Sequence, residues 1–179
     1  NGLEDGIDMG PSIDESQMSK VLEYIDVAKG EGAELLFGGQ RASEGALSKG
    51  FFVQPTIFDR VRPEMRIHCE EVFGPVLSVI RVESFEEAMA VANSSEFGLT
   101  SSIYTRDMTR VFRYIDEIET GITHVNSPTL GGEAQMPFGG MKNTGIGPRE
   151  QGSEVFNFYT ETKAVYIDYT GAKREGKLY

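Results

Sequence analysis

Three amphipathic segments, each preceded by a side chain able to cap a helix, alternate with short β-prone runs, and this alternation restricts the fold more than any other feature. After Gly10 and Pro11, Asp14 with Gln17 resembles a capping box, and Met18, Val21, Leu22 and Ile25 then share one helical face up to Gly30. Ser84 with Glu87 opens a second helix, which carries Phe85, Ala88, Met89 and Ala92 on one face and ends at residues 93–95. Asp107 caps a third, with Met108, Val111, Ile115 and Ile118 on its apolar side and Gly121 as its stop. Residues 33–37, 51–58, 76–82, 101–105 and 122–126 are β-prone, and 76–82 is apolar enough to predict burial on both faces. The order predicts an α/β fold: a parallel sheet with helices on both faces, right-handed crossovers, and ligands beyond the carboxyl ends of the strands.

Past Asn126 the alternation stops. Residues 127–149 are rich in Gly and Pro, carry no recognisable helix or strand, and are too long for an idle connection, which marks a functional loop. Residues 153–159 predict a short helix and 160–169 a strand, after which the chain is expected to fray. There is no internal repeat, low-complexity stretch or linker.

Charge and composition remove several classes of function. A net charge of −11 opposes binding to nucleic acid or anionic membranes, and only the short tail with Lys173, Arg174 and Lys177 is locally basic. Cys69 is the single cysteine, which suits a reducing, cytoplasmic compartment and forbids an intrachain disulfide. No apolar run is long enough to span a bilayer, and the start, Asn1 to Asp5, lacks the features of a signal peptide. His68 and His124 are isolated, so no metal is expected. The glycines at 139–147 do not make a dinucleotide fingerprint, and 171–177 copies the spacing of a phosphate loop but has Leu178 where Ser or Thr is needed.

The segment Glu70-Glu71-Val72-Phe73-Gly74-Pro75-Val76, preceded by Met65-Arg66-Ile67, is more specific. It resembles the E-E-[IV]-F-G-P-V signature of the NAD(P)-dependent aldehyde dehydrogenase superfamily. Gly10-Pro11, Gly32-Ala33, Gly38-Gly39, Phe52 to Thr56, Asn93 to Leu99, Gly121 to Asn126, Pro137 to Gly140, Lys142, Gly145 and Arg149-Glu150 follow in family order, so the resemblance covers essentially the whole chain.

The resemblance implies oxidation of a small-molecule aldehyde to a carboxylic acid with NAD or NADP, through a thioester on a cysteine. It implies that Glu71 accepts hydrogen bonds from the nicotinamide ribose hydroxyls and that Phe73 packs beside the nicotinamide, whereas Glu70 is read as structural. Taken alone, Glu71 would read as a solvated turn residue and Phe73 as a core aromatic. Ser127, Gly131, Gly132 and Phe138 fall where the family binds aldehyde, the glycines letting backbone N–H groups approach and Phe138 lining an apolar tunnel. The wording from Asn126 to Glu133 is similar to members that act on semialdehydes with a distal carboxylate, although Glu133 would repel one. Glu150 matches a glutamate associated with proton release.

The family's nucleophilic cysteine, general-base glutamate and oxyanion asparagine would all precede Gly10, so the chain is expected to be the C-terminal portion of such an enzyme and inactive alone. Cys69 is not expected to be the nucleophile, because Glu70 and Glu71 disfavour a thiolate beside them. Residues 1–159 are expected to be part of a catalytic domain, and 160–179 an oligomerisation strand and tail that makes the protein a homo-oligomer. A CoA-acylating semialdehyde dehydrogenase and a non-catalytic binding or structural module of the same fold remain open.

Overall fold

The computed structural model describes residues 5–169 and 171. Residues 1–4, most of the imitation phosphate loop and the basic tail with Lys173, Arg174 and Lys177 lie outside the described residues. Helix α1, Glu15–Gly30, starts where Asp14 accepts a hydrogen bond from the Gln17 backbone N–H at 2.8 Å. Only half of the expected capping box forms, since the Gln17 side chain donates elsewhere. The apolar stripe of α1, Met18, Val21, Ile25 and Ala28, makes a core with Val53, Phe58, Val61 and Met65.

That core covers one face of a three-stranded sheet of β1 (Glu34–Phe37), β2 (Thr56–Asp59) and β3 (Val76–Ser78). β2 and β3 run parallel, with Ile57 opposite Leu77, while β1 is antiparallel to β2 with an irregularity between Leu35 and Phe37. Between β2 and β3 lies a short helix α2, Arg66–Cys69, which the sequence reading lacked. Asp59, at the end of β2, is buried and paired with Arg81 and the Arg60 N–H, which hold its carboxyl below the usual range.

Expectation and structure differ at the second face. Leu35 and Val76 pack into the core, so the period of two turns Leu36 and Leu77 the other way, where they are 55% and 58% exposed. The run 76–82 is therefore an edge strand of three residues, not one buried on both sides. The run 51–58 likewise contributes only its end to a strand, with Val53 limited to a bridge with Arg41.

The second half holds helix α3 (Phe85–Asn93), β4 (Phe97–Gly98), β5 (Thr100–Ile103), helix α4 (Met108–Glu117) and β6 (Ile122–Val125). The Ser84 and Asp107 caps form as expected, on Glu87 N and on Thr109 N and Arg110 N. β5, α4 and β6 make a β-α-β unit with parallel strands in register from Thr100–Ile122 to Ile103–Val125. Met89, Tyr114 and Ile118 form its core, and the Tyr114 hydroxyl donates to Ser101 at 2.5 Å. The α/β class and the parallel pairing hold, but the strands belong to three small sheets because β3 does not pair with β5.

Residues 127–149 are irregular except for β7, Met141–Lys142, which pairs antiparallel with β4. Lys142 donates from Nζ to the Asn93 and Ser95 carbonyls and pairs with Glu119, closing the C-terminus of α3. Helix α5, Val155–Tyr159, follows a 3-10 turn at Gly152–Glu154. Residues 160–169 form no strand, since no strand among the described residues pairs with them, and Tyr166 is 85% exposed. No helix among the described residues is long and apolar enough to cross a membrane.

Candidate functional site

The two adjacent carboxylates at 70 and 71 have opposite environments. Glu70 accepts a fork of bonds from Arg66 Nε and Nη2, at 2.8 and 2.9 Å, and a third from the Tyr24 hydroxyl. Arg66 is one helical turn earlier, at the start of α2, and Tyr24 reaches over from α1, where the Arg66 guanidinium lies 5.3 Å from its ring centre. The Arg66 bonds, then the Tyr24 bond, pull the Glu70 pKa down to about 2, while Glu70 in turn pushes the Tyr24 hydroxyl up. Glu71 is exposed, and its carboxylate makes no ion pair among the described residues. One carboxylate fixes the loop, and the next is exposed on it.

Phe73 is also exposed, by 74%, and its φ of 56° lies in the left-handed region, where an aromatic side chain is strained. Gln17 Nε2 donates to the carbonyls of Val72 and Phe73 at 3.0 and 3.1 Å. Gly74 sits so close to α1 that a Cβ there would meet Val21 Cγ2 at 2.4 Å.

The residues expected to meet an aldehyde split. Ser127 stands at the carboxyl end of β6, where its carbonyl accepts from Ser102 at 2.6 Å and its hydroxyl lies 3.5 Å from His124 Nδ1. Gly131, Gly132 and Phe138 instead line a cavity of about 340 Å³ with Gly121, Ile122 and Thr123 at the amino end of β6. The sequence reading placed ligands beyond the carboxyl ends. The loop folds back along β6 and brings these three candidate residues to its amino end, so that a Cβ on Gly121 would lie 1.8 Å from the Gly139 carbonyl oxygen. Gly131 adopts φ +86°, and the Phe138 ring lies 3.5 Å from where a Cβ on Gly132 would stand.

Phe138 and Glu150 exchange both backbone hydrogen bonds, at 2.6 and 2.8 Å, although twelve residues separate them in the chain. They line a second cavity, of about 290 Å³, with Arg149 between them in the wall. A third cavity, of about 370 Å³, is lined by Glu70 and Glu71, and shares Leu99, Thr144 and Gly145 with the second. The second and first share Phe138 and Arg149. Glu71, Glu150, Phe138 and the glycine pair thus follow one another along a row of three adjoining cavities, while Phe73 and Ser127 stand outside it.

Sequence reasoning missed Gln17 as a loop contact, and Leu99 and Thr144 as shared walls. Gln17 already had a local explanation as a cap residue, and β4 and β7 are too short to carry a periodic signal. Cys69 is exposed and its thiol donates to the Pro63 carbonyl at 3.1 Å. Among the described residues no group of three or more His, Cys, Asp or Glu could hold a metal ion. A larger cavity of about 440 Å³, between α3, α4 and β5, contains none of the candidate residues.

Comparison with known proteins gives a consistent picture. The sequence pattern of the aldehyde dehydrogenase family matches residues 1–165. The chain is 43% identical over 167 residues to an alpha-ketoglutaric semialdehyde dehydrogenase of Bacillus subtilis, covering 93% of this chain and 34% of that protein. It is 48% identical over 163 residues to an alpha-ketoglutarate semialdehyde dehydrogenase of Haloferax volcanii, covering 90% and 34%. A crystal structure of a Mycobacterium tuberculosis aldehyde dehydrogenase complexed with NAD+ superposes with a TM-score of 0.83 at 39% identity, over 92% of this chain and 33% of that one. The chain spans about a third of the length of the curated relatives it matches.

Proposed function

The chain belongs to the aldehyde dehydrogenase family, and from that premise we propose that it supplies the C-terminal, cofactor- and aldehyde-facing part of an oxidoreductase that converts an aldehyde to a carboxylic acid with NAD(P)+. The row of adjoining cavities carries this reading, because an exposed carboxylate, an apolar wall and a glycine pair follow one another along it. Bound NAD(P)+ supplies the two-electron oxidant.

The residues present fit that cofactor. Glu71 offers two acceptor oxygens on a loop fastened by its neighbour, as recognition of a pair of sugar hydroxyls requires. Phe73 offers an exposed ring face on the same loop. At the other end of the row, Gly131 and Gly132 let backbone N–H groups approach the polar end of an aldehyde, and Phe138 excludes water beside them. Glu150, fixed opposite Phe138 by backbone bonds, is the group for moving a proton out along the second cavity. Ser127 supports the loop through its carbonyl and marks the point where the aldehyde loop leaves β6.

A semialdehyde with a distal carboxylate is the favoured substrate class. The relatives named for such substrates support it, and the Glu133 carboxylate, which lines the same cavity, is engaged by Gln135 Nε2.

The nucleophile of this reading lies outside the chain. The Cys69 thiol donates to the Pro63 carbonyl and is not proposed as that nucleophile. The 179-residue chain alone is therefore expected to form no NADH with any aldehyde, while the full-length enzyme oxidises a semialdehyde and keeps its turnover within a few-fold after Cys69→Ser. Steady aldehyde-dependent NADH production by the pure chain, or abolished turnover in Cys69→Ser, would contradict the reading.

A further inference from the structure

We infer that Lys142 is a positioning residue for the cavity lined by Glu150: its ammonium group pins the middle of the 138–150 loop to the end of α3 and so keeps the walls of that cavity in place. The inference rests on the reading of Glu150 as the group that moves a proton.

The 138–150 loop closes on itself. Its ends meet in the Phe138–Glu150 pairing, and Leu99 apart it supplies the lining of the second cavity. Between those ends its only ladder is β7, two residues long, opposite a β4 of the same length. Side chains add the rest. Lys142 Nζ donates to the Asn93 and Ser95 carbonyls at 2.6 and 3.0 Å and pairs with the Glu119 carboxylate at 2.6 Å, so an ammonium with three hydrogens meets three oxygens. Helix α3 has no basic residue in its own last turn, and Lys142 brings from 49 residues away the cation that a helix C-terminus favours. At φ 56° Lys142 is itself left-handed, a conformation that persists only where neighbouring contacts impose it. The Asn143 N–H donates to the Glu96 carbonyl and the Gly98 N–H to the Thr144 hydroxyl, which ties the same stretch to β4 and the residue before it. Of these ties, that of Lys142 reaches the helix end and the α4–β6 connection at once.

The role is separable from folding. Neither hydrophobic core contains a residue of the 138–150 loop. Glu119 is half exposed and the Lys142 bonds lie at the surface, so the freed carboxylate and carbonyls can turn to water. Losing the ammonium therefore loosens the loop while the helices and their cores remain.

The test is Lys142→Met, which keeps the stem and removes the charge and its three donors. In the 179-residue chain, amide hydrogen exchange at residues 139–147 is expected to quicken while exchange within α1 and α4 stays unchanged. In the full-length enzyme kcat is expected to fall about tenfold with a larger solvent deuterium isotope effect on it, the KM for aldehyde and for cofactor staying within about twofold of the parent. Lys142→Arg, which keeps charge and donors, should recover part of kcat. Unchanged exchange at residues 139–147, a lower kcat with an unaltered isotope effect, or no recovery in Lys142→Arg overturns the inference. Glu150→Gln, run alongside, separates two failures. If it leaves kcat and the isotope effect as they were, the reading of Glu150 fails and the positioning role with it; if it changes both and Lys142→Met changes neither, that reading stands and the positioning role is overturned.

Discussion

At the residue scale, the loop 70–74 shows how neighbouring identical side chains acquire different work. Nothing in the pair Glu70-Glu71 distinguishes its members chemically; the fold does so by placing Arg66 one turn before the first and Tyr24 across from it. Because Glu70 titrates at about 2 when folded, against an ordinary value of 4.5, it stabilises the fold fully above that ordinary value. The contribution is lost as pH falls through the interval down to about 2. Denaturant melts of the chain at pH values between about 5 and 2.5 should therefore show a smaller acid loss of stability in Glu70→Gln than in the parent. Equal acid slopes would mean that the Arg66–Glu70–Tyr24 contact does not persist in solution. Glu71 and Glu70 were both legible as a motif, and the structural assignment of Glu70 was too. The hold exerted by Gln17 was not, since its target lies 55 residues away and nothing local signals it.

At the scale of elements, legibility followed locality. Helices α1, α3 and α4 were visible because a cap and an apolar stripe are written within a dozen residues, and all their caps form. Strand pairing was not, because it depends on chain that folds back from far away: β4 finds β7 more than forty residues on, and β3 remains an edge. The return of the 127–149 loop along β6 belongs to the same class, and its enabling feature is a glycine whose purpose is invisible locally. Gly121→Ala would force a Cβ to within 1.8 Å of the Gly139 carbonyl oxygen, where backbone meets backbone and cannot yield cheaply. A loss of about 1–3 kcal/mol in denaturant unfolding is expected, with the Phe138–Glu150 pairing weakened as well. A neutral substitution would show that the loop does not lie on β6 as described.

At the scale of the whole molecule, this chain displays apolar surface that its own elements do not cover. Leu36 and Leu77 lie on the open face of the first sheet, and α4 shows Met108, Phe112 and Ile115 outward while Val111 and Tyr114 face inward. Residues 160–169 add Val165, Tyr166 and Ile167, all at least 67% exposed, in a segment with high β-propensity that is not in a strand. Such a segment is proposed to pair with a second copy, as an oligomerisation strand following a catalytic portion at 1–159. Light scattering over a dilution series should find the chain self-associated, and removal of residues 160–179 should shift it toward monomer. A strictly monomeric parent chain at high concentration would reject this.

The central proposal is that Glu71 faces the cofactor. In the full-length enzyme, steady-state kinetics of Glu71→Gln tests it most directly, since the substitution keeps the shape and the loop clamps while weakening a charge-assisted contact. The account predicts a fall in kcat/KM for the cofactor of about tenfold or more, corresponding to about 1.5–3 kcal/mol, with the enzyme still folded and its thermal midpoint retained. Kinetics indistinguishable from the parent would contradict it.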